Sequence, residues 1–259
     1  MNLRFLAANS RNAWRHAPQT SDFVKRLLWH YSQRYDAPAT FEIGFRYPAP
    51  VGRLNLLVRS NEGADAFVLG EIFEQGCYDL QLPEQPETVL DLGSNAGFSA
   101  IFFARQYPNA KVACVEPVET NLAVLRRNLE INKVHAAVIA AAVAPFDGAL
   151  GIQMHRKDYG HKVVEIDRET ESPKVAAISV PTIMERLGWD GIGLAKVDIE
   201  GYEKQLFSTN REWLHHTQSL CIECHDDFGE NDLGEIAREF GFLPPRQQKG
   251  IWFLTRRTS

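Results

Sequence analysis

The sequence predicts an α/β fold with a mostly parallel central sheet. Three observations lead to this prediction. From position 88 onward, short apolar runs alternate with segments of helical periodicity, a pattern that requires parallel strands joined by right-handed crossovers. A glycine-rich turn follows the first of these runs. The last two apolar runs have no room for a helix between them, so the final strands are expected to be antiparallel neighbours.

The first 65 residues are predicted to form a helix and a β-hairpin. After a capping signal at Ser21 and Asp22, apolar side chains recur at helical spacing. Residues 41–60 contain two strand-like runs around a Pro/Gly turn, which indicates a hairpin. Because an apolar helix face needs a surface to bury against, this extension (1–65) is expected to pack on the main domain. The predicted apolar stripe consists of Phe23, Leu27, Leu28, Tyr31 and Tyr35.

The main domain, residues 66–259, is predicted to alternate strands and helices after a short helix in residues 65–79. Residues 148–180 are less regular and favour a strand pair or a flap. The strands are expected near 88–92, 111–116, 136–142, 193–199 and 219–224, and the helices near 97–107, 119–131, 203–214 and 232–240.

Composition and charge narrow the class of protein. The chain has 259 residues, of which 44% are hydrophobic and 24% charged, as in ordinary globular proteins. A net charge of -5 gives no general attraction to nucleic acid. Four cysteines are too few for a disulfide framework in a chain of this length. No apolar run approaches the roughly 18 residues of a membrane span. We therefore predict a soluble cytoplasmic protein without a nucleic-acid partner.

The stretch "DLGSNAG", residues 91–97, predicts a ligand site. In an open parallel sheet, ligands bind beyond the carboxyl ends of the strands. Asp91 lies at the end of the first strand of the repeat, and Gly93 and Gly97 flank a tight loop that begins a helix. Glu116 ends the next strand, where a carboxylate can accept hydrogen bonds from the two hydroxyls of a ribose. The layout therefore predicts a cofactor that contains a nucleoside.

The glycine spacing distinguishes between nucleoside cofactors. A dinucleotide usually needs G-x-G-x-x-G, whereas the loop here is Gly93-Ser-Asn-Ala-Gly97. An acid just before the loop would repel a pyrophosphate but would suit the ammonium group of an amino acid. These features favour S-adenosylmethionine and disfavour a Rossmann-type oxidoreductase, which stays open as the less favoured alternative.

A second motif, "KVDIEG", places Lys196, Asp198 and Glu200 on one side of a strand end, because strand side chains alternate with a period of two. With this motif, "VLDLGSNAGFSA", "CVEPVETNLAVLRRNLEIN", "CIECH" and the lead-in "EIFEQGCYD", the chain resembles the FkbM-type family of S-adenosylmethionine-dependent methyltransferases. The resemblance covers roughly residues 65–225.

The resemblance implies a Rossmann-like class I methyltransferase sheet of seven strands whose last strand is antiparallel. It also implies methyl transfer, usually to a hydroxyl of a small molecule, sugar or natural product. It places Asp91, Gly93, Ser94, Asn95 and Gly97 at the amino-acid end of the cofactor, Glu116 at the ribose, Pro117 and Ala141 or Ala142 near the adenine, and Tyr78 over the cofactor carboxylate.

The predicted catalytic residues are Asp198, Glu200 and His225. Methyl transfer needs the acceptor oxygen in line with the methyl group, and a base within hydrogen-bond reach helps because a protonated alcohol is a weak nucleophile. His225 is a further candidate for this base, since an imidazole titrates near neutrality. The alternatives are a helix N-cap for Asp198, a solvated loop position for His225, and for Lys196 either an anchor for an acidic substrate or a structural ion pair.

Other motifs predict no additional chemistry. Cys221 and Cys224 match C-x-x-C but would point to opposite faces of a strand. The "ECHDD" stretch has metal-ligand residue types without a second cluster at compatible spacing, so no metal site is predicted. The expected partner is a small-molecule or glycan acceptor, and a homodimer is left open. A non-catalytic module that keeps this fold is the other alternative function. The extension is expected to lie over or beside the acceptor cleft.

Overall fold

The centre of the fold is a seven-stranded sheet. The computed structural model describes residues 15–33, 39–153, 162–164 and 173–257. The strands are β3 (Thr88–Leu92), β4 (Lys111–Val115), β5 (Ala136–Ile139), β10 (Ile192–Val197), β11 (Thr217–Glu223), β12 (Arg246–Gln248) and β13 (Ile251–Thr255). Their order in the sheet is β12-β13-β11-β10-β3-β4-β5. The five strands from β11 to β5 are parallel, and β13 is antiparallel to both of its neighbours, β11 and β12, which confirms the predicted sheet.

Helices cover both faces of this sheet. They are α3 (Phe98–Gln106), α4 (Glu119–Ile131), α5 (Val180–Leu187), α6 (Glu203–Leu206) and α7 (Glu230–Phe240). Strand β3 shows why both faces need cover: Leu90 packs in one core and Val89 in the other, as alternation along a doubly buried strand requires. None of the helices in the described ranges is long and apolar enough to cross a membrane.

The predicted helix 203–214 is interrupted. Helix α6 ends at Leu206, and a separate 3₁₀ turn occupies Glu212–His216. Asn210, between the two, adopts a left-handed conformation with φ of 53°, which asparagine tolerates better than most residues but which ends a right-handed helix.

The predicted strand 136–142 is also divided. After Ile139 the chain leaves the main sheet, and β6 (Ala142–Val143) pairs with β9 (Lys174–Ile178) in a second sheet of order β6-β9-β7-β8. Strands β7 (Gly148–Gln153) and β8 (Lys162–Val164) are antiparallel neighbours in this sheet, so the strand pair expected within 148–180 is confirmed. Helix α5, which follows β9, was not predicted.

The N-terminal extension forms the predicted helix and hairpin. Helix α1 spans Thr20–Ser32. Strands β1 (Thr40–Arg46) and β2 (Arg53–Arg59) pair antiparallel, and α2 (Ala64–Leu69) continues into a π-helical segment at Gly70–Gln75.

The predicted apolar stripe of α1 is not its buried face. Leu28 and Tyr31 are 53% and 50% exposed, whereas Arg26 and Trp29 are buried. Trp29 Nε1 donates a hydrogen bond of 2.7 Å to a carbonyl in β2, and the Arg26 guanidinium lies 4.8 Å from the centre of the Phe45 ring. These two polar-tipped side chains have enough apolar surface to displace aliphatic residues from the interface. Tyr35 lies outside the described residues.

Two asparagines of α4 attach the hairpin to the main domain. Asn128 Oδ1 accepts a hydrogen bond from Leu57 N at 2.6 Å, and its Nδ2 donates to Leu57 O. Asn132 makes the same pair of bonds with Asn55. The two amides thus act as an extra strand along the free edge of β2, which satisfies its backbone groups.

Candidate active site

A cavity of about 320 Å³ lies at the carboxyl ends of β3 and β10. This is the position where open parallel sheets bind ligands. Of the residues predicted from the sequence, Tyr78, Gly93, Ser94, Asn95, Asp198, Glu200 and His225 line it together. Phe67 and Ile72, from α2 and its π-helical continuation, also line the cavity.

The loop after β3 is shaped by its glycines. Gly93 has φ of 78°, and a Cβ at this position would lie 1.8 Å from the carbonyl oxygen of Asp198. Gly97 has φ of 82°, and its Cβ would lie 3.2 Å from Leu125. A side chain at position 93 is therefore excluded by both the backbone conformation and the packing. The loop and the end of β10 are in direct contact.

Asp91 lies beneath the cavity and does not line it. Its side chain is fully buried, and Ser99 Oγ donates a hydrogen bond of 2.6 Å to it. The Lys196 ammonium lies 3.3 Å from Asp91 and 3.3 Å from Asp198, and it donates to Gly93 O at 2.7 Å. Lys196 thus bridges the ends of two neighbouring strands.

Lys196 is a structural ion-pair partner. Burial alone would lower the pKa of its ammonium, but the carboxylates of Asp198 and Asp91 outweigh burial and raise the pKa above that of an exposed lysine. With its three protons directed at these carboxylates and at the Gly93 carbonyl, the side chain has no free face for an acidic substrate.

Glu116, directly after β4, is also buried and already hydrogen-bonded. It accepts hydrogen bonds from Asn95 N and Val118 N, both at 2.9 Å, and from Asn121 Nδ2 at 3.2 Å. Burial raises the pKa of this carboxyl group, and these hydrogen bonds act in the opposite direction. One function of Glu116 is therefore to fix the glycine loop through Asn95.

Glu116 and the remaining predicted cofactor residues, three near the adenine and Gly97 at the amino-acid end, are outside the cavity lining. Pro117 is half-buried next to Glu116. Ala141 and Ala142 are buried in the core, because the chain turns away from the main sheet at Ile139. Gly97 is turned toward α4.

Sequence patterns missed Arg59, at the end of β2. Its Nη1 donates to Asn121 Oδ1 at 2.6 Å, and its Nη2 donates to Asn95 Oδ1 at 3.0 Å. Asp65 pairs with the same guanidinium at 2.7 Å. Because Asn121 and Asn95 both contact Glu116, this buried group connects the extension to the loop. No local signal identifies this role of Arg59, since Asn121 and Asn95 are distant from it in sequence.

His225, just after β11, is oriented by Glu203. Its Nδ1 lies 3.0 Å from Glu203 Oε1, and Glu203 also accepts from Ile199 N and Gly201 N. Glu203 is almost fully buried, so it holds the imidazole in one orientation. The Nε2 atom then faces Glu200 Oε2 at 3.7 Å and Glu223 Oε1 at 3.8 Å.

The charge of His225 differs from the sequence-based expectation. Burial lowers the pKa of the imidazole, but the hydrogen bond and charge of Glu203, with Asp198 and Glu200, raise the pKa to about 9. The ring is then protonated at neutral pH and cannot accept a proton. The structure therefore does not favour a free base at this position.

Two further acids contribute to the cavity wall, and neither was predicted. Burial and the charge of Asp198 raise the pKa of Glu223 to about 7, and the same two causes raise the pKa of Glu71. Glu223 could have been suspected as a carboxylate at a strand end, whereas nothing in the sequence around Glu71 indicates its position. The cavity is thus strongly acidic on the side of Asp198.

The sequence model of the methyltransferase FkbM domain matches residues 91–249, more than half of the chain. Methyltransferase sdnD of Sordaria araneosa is 28% identical over 197 residues, which cover 63% of this chain and 76% of that protein. The 31-O-demethyl-FK506 methyltransferase FkbM of Streptomyces tacrolimicus is 24% identical over 229 residues, which cover 74% and 87% of the two chains.

Solved structures of methyltransferases are similar at lower identity. An O-methyltransferase family protein from Burkholderia thailandensis superposes with a TM-score of 0.45 and 12% identity, covering 76% of this chain and 59% of that one. Precorrin-6y C5,15-methyltransferase from Geobacter metallireducens GS-15 gives a TM-score of 0.42 and 10% identity, covering 69% and 84%.

Proposed function

Because the chain belongs to the FkbM family of S-adenosylmethionine-dependent methyltransferases, we propose that it methylates a hydroxyl oxygen of a small molecule or glycan. The observation that carries the proposal is the contact between the glycine loop and the end of β10. Since Gly93 touches the backbone of Asp198, a cofactor on the loop and an acceptor beside Asp198 would occupy the same cavity. The name of the Streptomyces tacrolimicus relative, a 31-O-demethyl-FK506 methyltransferase, supports oxygen as the methylated atom.

The cofactor's amino-acid end would lie against Gly93, Ser94 and Asn95, with Tyr78 over its carboxylate. These residues line the cavity. We assign Asp91 an indirect role, because it holds Lys196 beneath the loop.

Glu116 would bind the ribose, with the adenine near Pro117 and Ala141 or Ala142. A carboxylate offers about four acceptor sites, and the chain occupies three of those on Glu116. One site is available to a ribose hydroxyl, and the bond from Asn121, the longest of the three at 3.2 Å, is the one that a second hydroxyl would replace.

S-adenosylmethionine, when bound, supplies a methyl group on a positively charged sulfur that leaves with the electron pair of the broken C–S bond. Asp198 would accept the proton of the acceptor hydroxyl as the oxygen forms its bond to the methyl carbon. Lys196 fixes the Asp198 carboxylate at 3.3 Å, and Glu200 would orient the hydroxyl from the mouth of the cavity. In this proposal, the protein contributes to the reaction mainly by aligning the acceptor oxygen with the methyl group.

Two measurements test the proposed function. Isothermal titration is expected to show binding of S-adenosylhomocysteine and no binding of NAD. Labelled S-adenosylmethionine is expected to transfer its methyl group to a hydroxyl compound of a host extract, identified as a methyl ether. Binding of NAD alone would indicate an oxidoreductase. Binding of S-adenosylhomocysteine without transfer to any acceptor would indicate a non-catalytic module.

A further inference from the structure

We propose that Asp198, Glu200 and His225 bind a divalent transition-metal cation at the acceptor side of the cavity. The use of this cation in methyl transfer depends on the function proposed above, whereas its binding does not. Each of the three residues offers one ligand atom, and these atoms all lie within 4.8 Å of one another. No other set of this kind is found within the described ranges.

The spacing of the ligand atoms suits a small cation. A cation with bonds of about 2.0–2.2 Å to nitrogen and oxygen holds its ligands roughly 3–4 Å apart. The His225 Nε2 and Glu200 Oε2 atoms are 3.7 Å apart, within this range before any ligand is bound. Asp198 and Glu200 project from the segment that follows β10, and His225 follows the neighbouring strand β11. Two adjacent strand ends therefore supply the three ligands.

The hydrogen bond to His225 is an observation independent of the acidic cluster. Histidines that bind metals usually direct their second ring nitrogen at a carboxylate or a carbonyl, which fixes the tautomer and the ring orientation. Here Glu203 binds Nδ1 at 3.0 Å and is only 1% exposed, and Ile199 N and Gly201 N hold it in place. The ring therefore presents Nε2 to the cavity.

The local charge also favours a cation. Two carboxylates, those of Glu200 and Glu223, lie near Nε2 of His225. The carboxylate of Asp198 lines the same cavity. Two lysines also line the cavity. Lys196 is held between two carboxylates, and Lys249 donates to the backbone carbonyls of Gln75 and Gly76. These lysines and the protonated imidazole of His225 balance part of the negative charge, and a cation bound at Nε2 would replace the proton on that nitrogen.

The donor set indicates which cations would bind. One imidazole and two carboxylates favour Mn²⁺, Fe²⁺, Co²⁺ or Zn²⁺ over Mg²⁺ and Ca²⁺, which prefer oxygen ligands alone. Three protein ligands leave positions for water or for a hydroxyl oxygen. A cation at this place would therefore bind the acceptor oxygen and fix it beside the methyl donor.

Titration of the full-length, chelator-treated protein with Mn²⁺, followed by electron paramagnetic resonance, tests the site. We expect one bound Mn²⁺ per chain. Affinity should fall at least about tenfold in His225→Gln and in Glu200→Gln, because each loses a direct ligand. The matched control is His135→Gln, which changes an exposed histidine outside the cavity and should bind Mn²⁺ as the unchanged protein does.

S-adenosylhomocysteine binding and thermal unfolding of the same samples separate the possible results. If the unchanged, folded protein binds no Mn²⁺ at millimolar concentration, the metal proposal is wrong, whatever the variants do. In that case retained S-adenosylhomocysteine binding would leave the proposed function intact. The positively charged sulfur of S-adenosylmethionine would then face the acidic side of the cavity in place of a metal ion. Equal affinity in all folded variants would also overturn the site. Mn²⁺ binding that depends on His225 and Glu200, without any S-adenosylhomocysteine binding, would support the metal site and contradict the methyltransferase function.

Discussion

Glu116 and Asp198 follow two strands of the same sheet, yet their surroundings are opposite. Glu116 is 4% exposed and accepts three hydrogen bonds from the chain. The Asp198 side chain is 25% exposed, lines the cavity and has Lys196 as its ion-pair partner. At the first end, the chain itself fills most of the acceptor sites of the carboxylate. The second end has a partly exposed carboxylate that a ligand in the cavity can contact.

This difference fits the division of labour in the proposed reaction. The cofactor is the same in every turnover, so a preformed loop reduces the entropy lost on binding. The Arg59 group, which reaches the loop from the N-terminal extension, contributes to that preformed end. At the acceptor end, the partly exposed carboxylate of Asp198 is available for interactions that strengthen in the transition state.

Replacement of Arg59 should have the largest effect on stability. Arg59→Met removes one partner of a buried ion pair and leaves the Asp65 carboxylate without it, so the free energy of unfolding should fall by about 3–5 kcal/mol. The control is Arg127→Met, whose pairs with Glu42 and Glu130 are exposed and should contribute far less to stability. Urea unfolding measures both. Equal small losses would mean that the Arg59 group does not stabilise the preformed end.

Gly93→Ala should be the next most severe change. The new Cβ would lie 1.8 Å from the Asp198 carbonyl oxygen, and φ of 78° disfavours alanine. We therefore expect the free energy of unfolding to fall by roughly 2–4 kcal/mol and cofactor binding to weaken by a similar amount. Gly63→Ala separates the two causes, because Gly63 has φ of 90° but no atom within 4 Å of the added Cβ. Gly63→Ala should therefore lower the free energy of unfolding only by the cost of holding alanine at a positive φ. A loss for Gly93→Ala no larger than that would show that the loop and β10 can separate freely.

The sequence predicts the parts of this site that depend on local patterns. Gly93 and Glu116 follow strands with clear apolar periodicity, and the motif around Asp198 identifies the end of β10. Arg59 and Glu203 could not be predicted, because their roles arise from contacts with Asn95 and His225 that are distant in the chain.

The buried face of α1 shows a second limit of sequence patterns. Hydrophobic periodicity assigns Leu28 to the core, whereas the fold buries Arg26 and Trp29 through a cation–π contact and a hydrogen bond to β2. Which of two faces is buried depends on the shape of the partner surface, and a single helix does not contain that information. The prediction of one strand over 136–142 is wrong for a similar reason. The strand ends at Ile139 because β6 pairs with a strand beyond position 170.

Glu116→Gln tests the preformed end directly. It keeps the shape of the side chain but removes its charge, so S-adenosylhomocysteine binding should weaken by about 1.5–3 kcal/mol, as expected for loss of hydrogen bonds to a charged acceptor. Isothermal titration gives this value, with Glu119→Gln as the exposed control on α4. An unchanged Kd in a folded variant would remove Glu116 from the ribose site.

His30, on α1, reports whether the extension stays packed as the pH falls. Burial and the nearby charge of Arg26 lower the pKa of His30 from 6.5 to about 4. The unfolded chain therefore binds a proton below pH 6.5 that the folded chain binds only near pH 4, and stability should fall across that window. The loss of stability should be at most about 3.4 kcal/mol. Unfolding midpoints measured across this range should depend less on pH in His30→Gln; identical pH profiles would mean that His30 is solvated.

Asp198→Asn should affect turnover more than cofactor affinity, in contrast to Glu116→Gln. The substitution keeps the shape and removes the charge, so it changes the group that would accept the hydroxyl proton. We expect kcat to fall at least tenfold, about 1.4 kcal/mol of barrier, while the Kd of S-adenosylhomocysteine changes little, because the interaction is made with the acceptor and the transition state. Asp190→Asn, a matched control at an aspartate outside the cavity lining, should leave both quantities unchanged. If Asp198→Asn weakened cofactor binding without slowing methyl transfer at saturation, the two ends of the site would not differ in role, and Asp198 would belong to the cofactor site.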